Sequence, residues 1–155
     1  MAADLASAQP PPVSASCSIS CTVAEIVEWS EATFPPIELA EITASNTQPT
    51  GTASLVLYAN GDVKITADNS NKAELAKDAN HKLVTEYRLQ CDTGGAATSW
   101  SDYASFLSDG LIVPHAAGNR AIEVNLSVRA SNDRSQPQDA GTYTAEQTLT
   151  VCWAS

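Results

Sequence analysis

The sequence predicts an all-β protein, an immunoglobulin-like antiparallel β-sandwich of about seven to nine strands with an N-terminal extension. Three observations carry this expectation. Apolar and polar residues alternate with period two in several stretches, as they do along half-buried strands. Clusters of Gly, Pro, Asn and Ser separate those stretches. No apolar pattern of helical period is long enough to stand alone. The composition agrees: 155 residues suffice for one domain with a core, and 43% hydrophobic against 17% charged residues fits a folded chain.

The elements follow in order. Residues 1–12 end in Gln9-Pro10-Pro11-Pro12. Proline lacks an amide donor and favours polyproline II, so this stretch reads as a flexible arm ahead of a single domain over 13–155. From Val13 to Val23, Val13, Ala15, Cys17, Ile19, Cys21 and Val23 alternate with Ser and Thr, the pattern of a strand with one buried face. Pro35-Pro36 interrupts the chain, and Ile37–Thr43 offers a short strand before the turn cluster Ser45–Gly51. Ala53–Tyr58, Asn60-Gly61 and Asp62–Ala67 read as a hairpin, because Asn-Gly suits a type I′ turn with positive φ at both central residues. Ala73–Lys77 has room for one helical turn. Leu83–Cys91 alternates again, and Gly94-Gly95 opens a loop. Ser99–Ser101 and Leu111–Val113 are short strands or loop anchors. Ala121–Arg129 buries Ile122, Val124, Leu126 and Val128, and Gly141–Trp153 closes the chain as a long strand.

Four cysteines, Cys17, Cys21, Cys91 and Cys152, fit two disulfides in an oxidising compartment. On one strand, Cys17 and Cys21 would have Cα atoms about 13 Å apart at roughly 3.3 Å per residue. A disulfide needs about 7 Å or less. The partners expected for them are therefore Cys91 and Cys152, in either order; the alternative is four reduced, buried thiols.

The chemistry-bearing residues argue against an enzyme. His81 and His115 are the two histidines, and no Gly-x-Ser-x-Gly elbow accompanies them. Cys17 and Cys21 lie on an alternating strand, not on the tight turn that metal-ligand pairs use. Asp68-Asn69-Ser70-Asn71 lacks the Gly and distal Glu of a calcium loop. No cofactor or metal is expected. With 8 Lys and Arg against 18 Asp and Glu, the formal net charge is −10. Nucleic-acid binding is excluded by that balance, since phosphates are neutralised by cationic side chains. No run is apolar and long enough for membrane insertion. Trp100, between serines, and nearby Tyr103 are the aromatic residues placed to contact a ligand such as a sugar ring.

Several pieces carry a resemblance. Tyr58-Ala59-Asn60-Gly61-Asp62-Val63-Lys64-Ile65 runs as strand, turn and strand. Glu86-Tyr87-Arg88-Leu89 looks like a Tyr-x-Leu strand, followed by Trp100. Ala140-Gly141-Thr142-Tyr143-Thr144, with Thr148-Leu149-Thr150-Val151, is similar to a closing Gly-x-Tyr strand. Together they resemble the spore coat protein U-like domain and the related pilins of the archaic chaperone–usher class. Ala145 stands where that family usually has Asp, and Ala67 where a cysteine would end the second strand.

The resemblance implies a structural subunit of an extracellular filament, pilus or cell-surface coat, whose sandwich lacks one strand. A neighbouring copy would supply that strand, in a homopolymer, with a secretion chaperone as a further partner. The donor would be residues 3–8 or residues 13–23, and from the latter Cys17 or Cys21 would reach a disulfide across the subunit boundary. Read by itself, Val13–Val23 serves equally as strand A of its own sandwich. The alternative function is a monomeric secreted sandwich that binds carbohydrate or another surface ligand through Trp100 and Tyr103.

Overall fold

The structure is a computed structural model and describes residues 8–92, 96–115, 121–133 and 135–154. It is all-β. Among the described residues, ten strands form antiparallel sheets of five, three and two: β1 (Val27–Trp29), β2 (Thr50–Ala59), β3 (Val63–Ala67), β4 (Ala76–Asp78), β5 (His81–Lys82), β6 (Val84–Cys91), β7 (Ser101–Asp102), β8 (Leu111–Val113), β9 (Ala121–Ser131) and β10 (Leu149–Trp153). The large sheet runs β1-β2-β9-β6-β7, the second β10-β3-β8, and β4-β5 is a separate ribbon.

The two main sheets enclose one core. Leu57 from β2, Ile65 from β3, Leu89 from β6, Val113 from β8 and Ile122 and Val124 from β9 are almost wholly buried. Phe106, from the turn after β7, joins them and stacks on Tyr87 with ring centroids 5.4 Å apart. Burying each large apolar side chain contributes about 1.5–3 kcal/mol. The alternation read in β9 is the one observed, with Ile122, Val124, Leu126 and Val128 all buried. Leu83, just before β6, and Tyr87, Leu89 and Cys91 within it are buried, and Thr85 joins them because its hydroxyl donates to Leu83 O and accepts from Leu75 N.

Four expectations are corrected. Asn60-Gly61 does not close a hairpin, because β2 and β3 belong to different sheets, so the turn is a corner between layers. Neither residue adopts positive φ. Gly61 serves close approach instead: a Cβ there would overlap the Trp153 ring that packs on the backbone. The extended segment Ile37–Thr43 is not a strand, since none of its residues pairs with another strand; Thr43 bonds only into the turn that follows, donating to Asn46 O at 3.0 Å. The closing strand starts only at Leu149, leaving 141–148 extended with a single bridge, Thr144 to Ala76. The helical turn is a 3₁₀ turn at Asn71–Ala73, before the Ala73–Lys77 stretch read for it.

The fifth difference bears on function. Val13–Val23 is not strand A of its own sandwich. Residues 8–26 contribute to no sheet, and Val13, Ile19 and Val23 are 93%, 90% and 75% exposed. Residues 3–7, the rest of the other donor stretch, and Gly94-Gly95 lie outside the described residues.

Candidate functional site

Over the inner face of the large sheet lies a groove of about 1210 Å³. Small-molecule pockets are about 300–1,000 Å³, so this space is large for a metabolite and of a size for a peptide. Its floor is the inner face of the large sheet: Leu55 on β2, Leu126, Val128 and Ala130 on β9, Tyr87 on β6, and Leu83 beside it. These side chains alternate along their strands, which brings them to one face.

The two walls are stretches of backbone. One runs through Phe34, Ile37, Leu39 and Ile42, whose side chains are half-buried while Glu38 and Glu41 point outward. Phe34 meets Trp29 edge-on, with centroids 5.4 Å apart, which anchors the start of this wall. Among the described residues, residues 31–42 make no hydrogen bond to the rest of the protein. Pro35 and Pro36 explain part of this, having no N–H to give.

The other wall is residues 141–149. Along an extended chain, successive residues direct their N–H and C=O to opposite sides. Three even-numbered residues here bond away from the groove. Thr144 exchanges two 3.0 Å bonds with Ala76, Glu146 N donates to Lys72 O at 2.8 Å, and Thr148 O accepts from Asp68 N at 3.0 Å. The backbone groups of Tyr143, Ala145 and Gln147 therefore face the opposite side, and among the described residues they have no partner. The Gln147 side chain fastens the wall from behind, accepting from Asp68 N at 2.9 Å and donating to Asp68 O at 3.2 Å. The wall is thus an extended segment whose backbone is unpaired on one side, and unpaired extended backbone is a template for another strand.

Cys17 and Cys21 are exposed on the extended segment, Cys91 is buried at the end of β6, and Cys152 is exposed on β10. All four are free thiols, so the bridges expected within the chain are not formed. The extended segment makes no hydrogen bond to the sandwich before Ala24, and that separation keeps its cysteines from the other two. No cysteine lines the groove. Burial pushes the Cys91 thiol up to about 11, with Asp92 adding to the effect.

Trp100 is not the open aromatic face that its sequence neighbours suggested. The guanidinium groups of Arg88 and Arg129 lie over its ring at 4.7 and 4.5 Å, and Arg129 also pairs with Glu86 at 3.1 Å. Tyr103 packs against the core instead of beside Trp100, and its backbone carbonyl accepts from Asn69 Nδ2 at 2.9 Å. His81 is held between carboxylates, with Nδ1 2.8 Å from Asp78 and Nε2 3.2 Å from Asp139, and His115 is far along the chain beside Asp62. No family model and no curated protein matches this chain.

Sequence reasoning named Val13–Val23 but missed both walls of the groove. A signal was available in the pairs Ile37/Leu39 and Tyr143/Gln147, whose alternation looks like ordinary strand. That the backbone beside them lacks a partner is a tertiary fact.

Proposed function

We propose that this chain is a structural subunit of an extracellular filament, pilus or surface coat, and that residues 13–23 of one copy fill the groove of the next. A single observation supports this most: an exposed, alternating apolar segment and a groove with an apolar floor and an unpaired backbone wall occur in the same molecule and are not joined to each other. Added as a strand, the segment would gain main-chain hydrogen bonds along 143–147 and place alternate side chains on the floor. The free wall at 141–149 is about 30 Å long at 3.3 Å per residue, close to the reach of residues 13–23.

Charge favours the same occupant. Residues 9–23 carry no charged side chain, whereas the rim holds Glu38, Glu41, Asp139 and Glu146 in a chain of net charge −10. A neutral strand approaches such a rim without the repulsion that an acidic one would meet. Donation from copy to copy is head-to-tail, and a head-to-tail contact that does not close gives a fibre. The resemblance to spore coat protein U-like and archaic pilin subunits points the same way. Among the described residues, no helix is long and apolar enough to cross a membrane.

The test is electron microscopy and sedimentation of the purified chain, with and without residues 1–23. Regular polymers that disappear on deletion are expected, with binding restored at the groove by a synthetic peptide of residues 11–24. Uniform monomers in both preparations refute the proposal.

A further inference from the structure

If the segment can fill a groove, it must be kept from filling its own. At micromolar subunit, a neighbour's segment is present at micromolar concentration. A segment tethered by a short flexible linker would face its own groove at an effective concentration on the order of millimolar. Unless geometry forbids it, self-insertion would win by about a thousandfold.

The geometry that forbids it is at Asn60. Its side chain holds the chain just where the segment leaves the body: Ile26 N donates to Asn60 Oδ1 at 2.8 Å, and Asn60 Nδ2 donates to Ala24 O at 2.9 Å. Its backbone N donates to Ile26 O at 3.2 Å. These three bonds carry the β1–β2 pairing, which begins at Val27 opposite Ala59, further out to Ala24. Asn60 itself stands on a rigid corner. Gly61 lies under Trp153, Asp62 O accepts from Ala154 N at 3.0 Å, and Asp62 Oδ1 accepts from His115 N at 2.7 Å. Ala24–Ile26 is therefore held along β2 instead of being free to turn back.

We propose that Asn60 is a positioning residue that aims the donor segment outward, so that donation occurs between copies and not within one. This rests on the strand-donation reading and adds to it the residue that decides between polymer and closed monomer. The Asn60-Gly61 pair is then explained without a hairpin: Asn60 supplies an acceptor and a donor to the departing chain, and Gly61 lets the corner sit beneath Trp153.

The experiment compares the wild-type chain, Asn60→Ala, and a second variant that keeps Asn60 but carries a six-residue Gly-Ser insertion after Val23. Polymer is measured by sedimentation and microscopy, and Cys17 and Cys21 are labelled with a maleimide to report whether the segment is covered. Both variants are expected to lose at least tenfold of polymer mass and to give monomers in which the two thiols label at least tenfold more slowly than in a chain with an empty groove. Wild-type polymer yield in Asn60→Ala overturns the inference, as do monomers whose two thiols label at full rate. The insertion variant decides the matter by the same criteria if Asn60→Ala does not fold. Absence of polymer in the wild type would instead count against strand donation itself, so the two failures are distinct.

Discussion

Ile19→Asp separates assembly from folding more cleanly than any substitution in the groove. Ile19 is 90% exposed in the subunit and makes no contact with the core, so its replacement leaves the melting of the subunit unchanged. In a filled groove it would be at the centre of the inserted strand. Full burial of an isoleucine side chain contributes about 1.5–3 kcal/mol. Leaving an unpaired carboxylate in its place costs several kcal/mol more. Together these amount to at least ~5 kcal/mol, and each 1.4 kcal/mol is a factor of about ten in affinity. The concentration needed for polymerisation should rise by about three orders of magnitude or more, while Ile19→Ala should raise it by roughly ten- to a hundredfold. Sedimentation across a dilution series reads both values. Polymerisation of Ile19→Asp at the wild-type concentration would refute insertion of this face.

Other consequences can be checked on the subunit alone. Gly61→Ala forces a methyl group into the Trp153 ring and should destabilise by about 1–3 kcal/mol in denaturant melts, the usual cost of overpacking. Tyr87→Phe removes the 2.6 Å bond from its hydroxyl to Ala73 O and should cost about 1–3 kcal/mol, since that buried carbonyl is left unsatisfied. Cys91 should alkylate far more slowly than Cys17, Cys21 and Cys152 at pH 8, read by mass spectrometry. Its thiol is raised from 9.0 to about 11 by burial, so the stability linked to it is complete below pH 9.0 and is lost as pH rises through 11. Asp78 is held below 3.8, first by the backbone N–H of Asn80 and then by the His81 side chain. Its contribution is present above 3.8 and is lost as pH falls through the lowered value, so Asp78→Asn should flatten the acid limb of a stability–pH profile.

Strands with one face in the core were legible because core burial imposes period two on the sequence. Ala121–Arg129 and Leu83–Cys91 are examples. The Asn60-Gly61 turn was misread because a dipeptide suited to a hairpin is equally suited to a corner, and only the sheet membership of β2 and β3 separates the two. Trp100 was misread because Arg88 and Arg129, which cover it, are distant in sequence and come together by the pairing of β6 with β9. The cysteine pairing failed for a related reason. It rested on the spacing of Cys17 and Cys21 along one strand, and period two carries no information about whose sheet a strand joins.

By itself, then, the sequence determined which residues are fit to be strands and which of their faces are apolar, because side-chain alternation is a local property of an extended chain. Which of those strands find partners was decided only in three dimensions. Val13–Val23 is left outside, and residues 31–42 and the odd positions 143–147 are left with unpaired backbone. Hydrogen-bond partnership between extended segments depends on what lies beside each of them, and no local pattern records that.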